Sequence, residues 1–206
     1  MHLLHFVKVC CKEPKMKVTF SGGFLILLAG AFILVPLPWL GAWICTLIIH
    51  ECFHYIALRL CGGSVQFILV GHNGIIMEVQ PLSFLKEAIC AYAGPIGGLF
   101  VLLLAKHIPR VAICTLFLSA YNMLPIFPLD GGRGLGCILR RYLGETKAER
   151  VQKCIENGTL LIIFLFSIYA VLCLGLGLLP AVIATILLVR SKGIKFPCKK
   201  LRIGLQ

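Results

Sequence analysis

Long runs without a charged residue set the first limit on how this chain can fold. No Lys, Arg, Asp or Glu occurs at 19–50, 88–105, 111–129 or 157–189. Hydrophobic residues make up 59% of the chain and charged residues 14%, whereas a soluble domain would carry about 25% charge. A helix needs about 20 consecutive apolar residues to cross a bilayer, and each run can supply that length. The sequence therefore predicts a compact membrane domain.

Helix breakers divide the first and the last of these runs. The first run predicts helices at about 19–36 and 40–60, and the last is too long for one ordinary span and predicts two short helices. One helix is predicted in each middle run, between Glu87 and Lys106 and from Val111 to Leu129. The predicted fold class is an all-α polytopic membrane protein with about six transmembrane helices. The breakers are Pro36, Pro38 and Gly41 in the first run and Gly175, Gly177 and Pro180 in the last.

The basic residues predict the orientation of the chain. With the N-terminus in the cytoplasm and six crossings, all of the 20 Lys and Arg residues except Lys106 and Arg110 lie on the cytoplasmic side. This asymmetry is the positive-inside pattern, so both termini are predicted to be cytoplasmic. A net charge of +12 could indicate a nucleic-acid partner, but the placement of the basic residues favours membrane orientation instead, so no direct nucleic-acid binding is expected. The basic segment 133–156 predicts a surface helix on anionic lipid, and docking of an acidic substrate segment is the weaker alternative.

Residues 64–80 predict a small β-hairpin near the cytoplasmic face. Val and Ile are enriched on both sides of Gly71-His72-Asn73-Gly74, which has the composition of a hairpin turn. Such a sheet could bind a substrate as an additional strand, or it could only pack on the helices, and the pattern leaves both open. The predicted organisation is an N-terminal segment at 1–18, a membrane domain at 19–190 and a basic tail at 191–206.

His50, Glu51 and His54 form an H-E-x-x-H motif inside an apolar run. On a helix, positions i and i+4 share a face, so the two imidazoles can bind one metal ion, with Glu51 beside it as the general base. Two imidazoles, one carboxylate and an open coordination position describe a hydrolytic zinc site. Ionisable residues in hydrocarbon are costly and usually functional. The motif therefore predicts a zinc peptidase with its active site in the bilayer.

Asp130 is the best candidate for a third metal ligand. It is the only Asp in the chain, and it follows an apolar run and precedes Arg133. Pro125 and Pro128 exclude a regular helix just before it, and non-helical backbone at membrane depth is tolerated where it lines a site. Alone, Asp130 followed by two glycines would be an ordinary turn. Beside an intramembrane pair of histidines, the interpretation as a ligand is favoured.

The 11 cysteines do not predict a second metal site or a disulfide framework. None are spaced C-x-x-C, and many fall within the predicted helices. Buried cysteine behaves as a small hydrophobic residue, so we expect a structural role for most of them. Cys52 lies inside the histidine motif but is predicted to face away from His50 and His54.

The two motifs together resemble those of the site-2 protease family of intramembrane zinc metalloproteases. His50 to His54 matches the first family motif, although Cys52-Phe53 replaces the usual Leu-Gly. Asn122 to Gly132, N-M-L-P-I-F-P-L-D-G-G, matches the second, N-x-x-P-x-x-P-L-D-G. Ala93-Gly94-Pro95 in the predicted third helix is also typical. The chain looks most similar to the compact six-helix group that includes the bacterial stage IV sporulation protease.

The resemblance implies a function as well as a site. His50, His54 and Asp130 would hold one zinc ion, Glu51 would be the catalytic base, and Asn122 would lie near the scissile carbonyl. The expected reaction is hydrolysis of membrane-embedded or membrane-associated proteins near the cytoplasmic face, in regulated intramembrane proteolysis. Expected substrates include transcription-factor precursors and anti-sigma factors. The expected location is the bilayer of a bacterial cell membrane, with a regulatory membrane partner and no direct contact with nucleic acid.

A membrane transporter and an inactive scaffold are the two alternatives to a protease. A membrane transporter of metal or other ions also uses intramembrane histidines and carboxylates, but it would not require Glu after the first His and would usually show duplicated halves. A catalytically inactive scaffold is the other alternative. The intact set of His50, Glu51, His54 and Asp130 favours an enzyme over both.

Overall fold

The structure is a computed structural model that describes residues 17–20, 29–71, 74–79, 82–175 and 177–193. Most of these residues are helical, as the sequence predicts, and three short strands form one sheet. The helices are α1 at Leu37–Leu60, α2 at Phe84–Phe100, α3 at Pro109–Asn122, α4 at Asp130–Leu143, α5 at Glu145–Leu172 and α6 at Leu179–Gly193. A 3-10 turn at Val101–Leu104 extends α2.

Three helices in the described part of the chain are long and apolar enough to cross a membrane. They are α1, α2 with its 3-10 extension, and α5, with mean hydropathies of 1.3, 1.8 and 1.9 over their best windows. Apolar side chains cover the outside of α5, where Ile162 is 69% exposed and Phe166 61% exposed. Such exposed apolar surface is typical of a helix that faces lipid. The chain is therefore a membrane protein, and the count of six spans stays a prediction.

The ends of α1 follow from its sequence. Pro38 lies in the first helical turn, where the missing amide hydrogen does not weaken the helix. Gly62, just after the helix, has a φ of 81°, a conformation that glycine adopts without strain. The helix begins at Leu37, three residues earlier than the predicted 40–60, because Pro38 is tolerated in the first turn and does not delay the start.

The sheet is larger than the predicted hairpin. Strands β2 at Val65–Gly71 and β3 at Gly74–Val79 pair antiparallel within the predicted segment 64–80. A further strand, β1 at Lys17–Phe20, pairs in parallel with β2. The predicted first helix at 19–36 is therefore wrong at its start, because the β-branched and aromatic side chains of Val18, Thr19 and Phe20 favour a strand. Helix within this run is described at 29–34.

The sequence predicted one surface helix at 133–156, and this prediction is wrong because two helices share the segment. Gly144, with a φ of 74°, ends α4, and α5 begins at Glu145. In helix α4 the glycines are buried, whereas Arg133 in the first turn and Arg141 and Tyr142 in the last turn are exposed. Most of the predicted tail at 191–206 and most of the predicted N-terminal segment lie outside the described residues, and the first three tail residues belong to α6.

Glycines allow the helices around the site to approach closely. A Cβ atom at Gly97 in α2 would collide with the ring of Phe53 in α1, and one at Gly134 in α4 would collide with the ring of Tyr92 in α2. Gln152 in α5, which is 1% exposed, donates a 2.8 Å hydrogen bond to the carbonyl of Gly132. Helix α2 therefore contacts both α1 and α4, and α5 holds the start of α4 in place.

The contact at Gly97 yields a test of this packing. Gly97→Ala should lower the stability of the folded protein by about 1–3 kcal/mol, because the added methyl group must displace the Phe53 ring. The matched control is Gly158→Ala, at an exposed helical position with nothing within 4 Å of the added atom. Thermal unfolding in detergent should show a lower Tm for Gly97→Ala and an equal or higher Tm for Gly158→Ala. Equal Tm values for the two variants would contradict the close contact.

Candidate metal centre

Two histidines on one face of α1 form the first half of the site. His50 and His54 are one helical turn apart, and their ring centroids lie 4.7 Å apart with the ring planes at 84°. The two Nε2 atoms are 3.1 Å apart. His50 is buried at 4% exposure, in a helix whose sequence is mostly apolar. The i, i+4 spacing thus brings two imidazole nitrogens to one point, as the sequence predicts.

Asp130 supplies the third group from a distant part of the chain. It is the first residue of α4, and its Oδ2 atom lies 3.1 Å from Nε2 of His50 and 3.1 Å from Nε2 of His54. The segment 123–129 before it is not helical, so the helix predicted from Val111 to Leu129 is wrong at its end and stops at Asn122. Pro125 and Pro128 are the physical reason, because proline breaks a regular helix. Asp130 itself is buried at 8% exposure.

The two glycines after Asp130 make this approach possible. A Cβ atom at Gly131 would collide with the backbone carbonyl of Met123, and one at Gly132 would collide with the backbone of Ile126. The chain therefore folds back on itself between α3 and α4 with its backbones in contact. Ile126 packs in the core with Leu129, which brings Asp130 to the histidines.

The three ligand atoms fit a small metal ion. Each of the three distances between them is 3.1 Å, so all three atoms can lie about 2 Å from one common point, the bond length of zinc to nitrogen and oxygen ligands. Among the described residues, His50, His54 and Asp130 form the one group of three His, Cys, Asp or Glu residues whose ligand atoms converge in this way. Two histidines and one carboxylate leave a fourth tetrahedral position open, which is the pattern of catalytic zinc sites.

The protonation of His54 is set by a backbone carbonyl. Its Nδ1 atom lies 2.7 Å from the carbonyl oxygen of Cys90 in α2. Because a carbonyl oxygen only accepts, Nδ1 must carry the proton and donate it, which leaves the lone pair of Nε2 facing His50 and Asp130. Gly94, one turn further along α2, leaves room for the ring, since a Cβ atom there would collide with it.

The second carboxylate oxygen of Asp130, Oδ1, interacts with Arg133. A guanidinium nitrogen of Arg133 lies 3.8 Å from Oδ1 of Asp130, while Oδ2 faces the two histidines. Arg133 is half exposed, so this ion pair contributes little stability. Its effect is to orient the carboxylate, with Oδ1 toward the guanidinium of Arg133 and Oδ2 toward the candidate metal position.

Of the two predicted catalytic residues, Glu51 lies beside this centre. Glu51 is half-buried and interacts electrostatically with His50, His54 and Asp130. Asn122 is the last residue of α3 and is half-buried. Cys52 is exposed, which agrees with the expectation that it faces away from the two histidines. The structure thus brings the three predicted ligands together, and Glu51 adjoins them.

Several residues that shape the site were not predicted. The carbonyl of Cys90 is a backbone group and leaves no sequence signal. Gly94 was noted as part of a motif, but its role in making room for the His54 ring was not foreseen. The glycines at 94, 97 and 98 within an apolar helix were the available signal, because such small residues mark close contacts between membrane helices.

Known proteins resemble the chain in sequence and in fold. No protein-family profile matches it. The zinc metalloprotease MJ0392 of Methanocaldococcus jannaschii is 25% identical over 137 residues, which are 60% of this chain and 40% of that protein. The chain thus matches less than half the length of this relative. The solved structure of the site-2 protease from Methanocaldococcus jannaschii superposes with a TM-score of 0.58 at 18% identity, over 91% of this chain and 97% of that one.

These similarities agree with the geometry of the site. The chain has the fold of a site-2 protease, and its sequence is related to that of a zinc metalloprotease. Its apolar helices enclose a buried histidine and aspartate that converge with a second histidine on a candidate metal position. Together they support a metal-binding protease of the membrane.

Proposed function

We propose that this chain is an intramembrane zinc metalloprotease of the site-2 protease type. The observation that carries the proposal is the convergence of His50, His54 and Asp130, with ligand atoms 3.1 Å apart among apolar helices. When both imidazoles carry their protons on Nδ1, lone pairs of the two Nε2 atoms and of the carboxylate oxygen face one another at this distance, and a cation between them removes the repulsion. The adjacent Glu51 adds the proton acceptor that hydrolysis needs.

Zinc is the metal that this set of ligands favours. Two imidazoles and one carboxylate form a common ligand set of catalytic zinc, and the name of the sequence relative points to the same metal. His50, His54 and Asp130 would hold one ion per chain. Bound zinc supplies Lewis-acid activation of a water molecule and of the substrate carbonyl.

Glu51 and Asn122 have separate roles in the proposed reaction. Glu51 accepts a proton from the attacking water and passes it to the leaving amine, which is general acid–base catalysis by one carboxylate. The amide of Asn122 donates a hydrogen bond to the carbonyl oxygen as negative charge develops on it. The carbonyl of Cys90 and the guanidinium of Arg133 keep His54 and Asp130 in position during this reaction.

The proposed substrates are transmembrane or membrane-associated proteins. The exposed surface of the helices is apolar, so lipid surrounds the site and a substrate segment must share that environment to reach it. We place the cleavage near the cytoplasmic face of a bacterial cell membrane, with both termini in the cytoplasm, on the strength of the charge asymmetry. Transcription-factor precursors and anti-sigma factors are substrates of the proposed kind, and a membrane partner would regulate access. The similarity to the sporulation protease group belongs to the same proposal.

The metal content tests the ligand set. Purified protein should contain about one zinc per chain, and His50→Ala, His54→Ala and Asp130→Ala should each lose it, because two remaining ligands hold zinc poorly. Elemental analysis in detergent measures the content. Cys52→Ala is the matched control, since Cys52 lies in the same motif on an exposed face and its replacement should leave zinc in place. Full zinc occupancy in Asp130→Ala would remove Asp130 from the ligands.

The replacement Glu51→Gln tests the proposed mechanism. This variant should fold and bind zinc as the wild type does, yet cleave a transmembrane substrate at least about 100-fold more slowly, because the amide cannot accept the proton. Zinc content and single-turnover cleavage are measured on one preparation. Glu145→Gln, at an exposed position on α5, is the control and should cleave normally. Cleavage by Glu51→Gln at the wild-type rate would refute the mechanism, and joint loss of zinc and cleavage would make Glu51 a ligand or structural residue.

Reporter fusions test the proposed orientation. A reporter fused after Arg202 should lie in the cytoplasm, because the basic residues there resist export. A fusion truncated after His107 should report the opposite side, since Lys106 and Arg110 flank the predicted external loop. A C-terminal reporter outside the cytoplasm would mean that the run at 157–189 crosses the membrane once.

A further inference from the structure

The second ring nitrogen of His50 differs from that of His54. The Nε2 atom of His50 faces Asp130 and His54, at 3.1 Å from each. Its Nδ1 atom is buried and has no hydrogen-bond partner among the described residues. Metal-binding histidines almost always donate a proton from the nitrogen that does not bind the metal, as His54 does to Cys90. A group that receives the proton of His50 Nδ1 is therefore needed to complete the site.

Helix α3 runs beside α1 at this level. The hydroxyl of Thr46, one turn before His50, lies 3.3 Å from the carbonyl of Val111, to which it donates, and 3.2 Å from the hydroxyl of Thr115. Both helices run toward the end of the bundle that holds Asp130, because His50 contacts Asp130 and α3 ends at Asn122 shortly before it. One helical turn beyond Thr46 and Thr115 are His50 and Ser119, which are therefore at the same level.

Ser119 has an unpartnered polar atom of its own. Its side chain is 3% exposed, and its hydroxyl oxygen has no hydrogen-bond partner among the described residues. Helix α2 covers this hydroxyl from the other side, since a Cβ atom at Gly98 would lie 2.6 Å from it. A buried polar atom without a partner is destabilising, so two of them at one level of the bundle, the Ser119 hydroxyl and the Nδ1 atom of His50, call for an explanation.

We propose that Ser119 is a positioning residue for the metal centre, which receives the Nδ1 proton of His50 through one bridging water. The two atoms do not bond directly, and a buried water between polar groups satisfies both. The link fixes the proton of His50 on Nδ1 and leaves the lone pair of Nε2 for the metal. Ser119 and the carbonyl of Cys90 would then act in the same way on the two histidines, from α3 and α2. The inference rests on the proposed zinc site.

Zinc affinity of a hydroxyl-free variant tests the proposal. Ser119→Ala should bind zinc about 10- to 100-fold more weakly than the wild type, the usual effect of removing such a partner, as measured by chelator competition in detergent. The matched control is Thr115→Val, which removes a buried hydroxyl one turn away while Thr46 keeps its bond to Val111. The control should bind zinc with wild-type affinity. Wild-type affinity in Ser119→Ala, or equal weakening in the control, would overturn the proposal.

A spectroscopic measurement decides the question independently of any folding defect in the variant. NMR of zinc-loaded protein with labelled histidine should show the Nδ1 proton of His50 exchanging slowly with water, because a buried, hydrogen-bonded proton is protected. Ser119→Ala should exchange this proton faster, whereas the Nδ1 proton of His54, held by the Cys90 carbonyl, keeps its wild-type rate. Equal exchange rates of the His50 proton in the wild type and in Ser119→Ala would refute the role of Ser119. If the wild type bound no zinc, the proposed function itself would fail, whereas strong zinc binding with an unchanged Ser119→Ala would remove this inference alone.

Discussion

The close contact between α1 and α2 is the constraint on which the rest of the site depends. Helix α2 presents glycine where α1 presents large rings, so the side chains of Phe53 and His54 occupy space that any other residue in α2 would fill. Without a hydrophobic effect to drive helices together in lipid, such packing and the hydrogen bonds it permits must hold them. The same contact brings the carbonyl of Cys90 within hydrogen-bonding distance of His54. The same contact between α1 and α2 therefore packs the two helices together and orients His54.

Several polar groups inside the bundle connect one helix to another. Thr46 bonds to α3, Gln152 bonds to the backbone of α4, and Asp130 of α4 lies beside the two histidines of α1. In an apolar interior, an unpaired polar group costs more than a paired one contributes, so each of these residues needs a defined partner. These partners lie on different helices. The polar residues thus fix the relative positions of the helices, and apolar residues facing lipid have no comparable effect.

The convergence of the three candidate ligands could be predicted from the sequence because each of the two motifs has strong local geometry. The spacing of His50 and His54 on a helix leaves little freedom, and prolines followed by glycines predict the turn that delivers Asp130. The partners of these residues could not be predicted in this way. Which carbonyl meets His54, and which glycine makes room for it, depends on the register between α1 and α2, and no local pattern encodes that register. The pairing of β1 with β2 is also a long-range contact, which is why the sequence predicted the start of a helix where the structure has a strand.

The ligands come from segments far apart in the chain, since 80 positions separate His50 from Asp130. With zinc bound, the ion therefore acts as a cross-link between the second-longest helix of the bundle and the turn that begins α4. A ligand that binds only the folded state stabilises it by an amount that grows with the logarithm of its free concentration, about 4 kcal/mol at 1,000 times its Kd. Under the proposed function, the supply of zinc to the cell would then set the fraction of molecules that is folded as well as the fraction that carries metal. Scarcity of zinc would lower both fractions together.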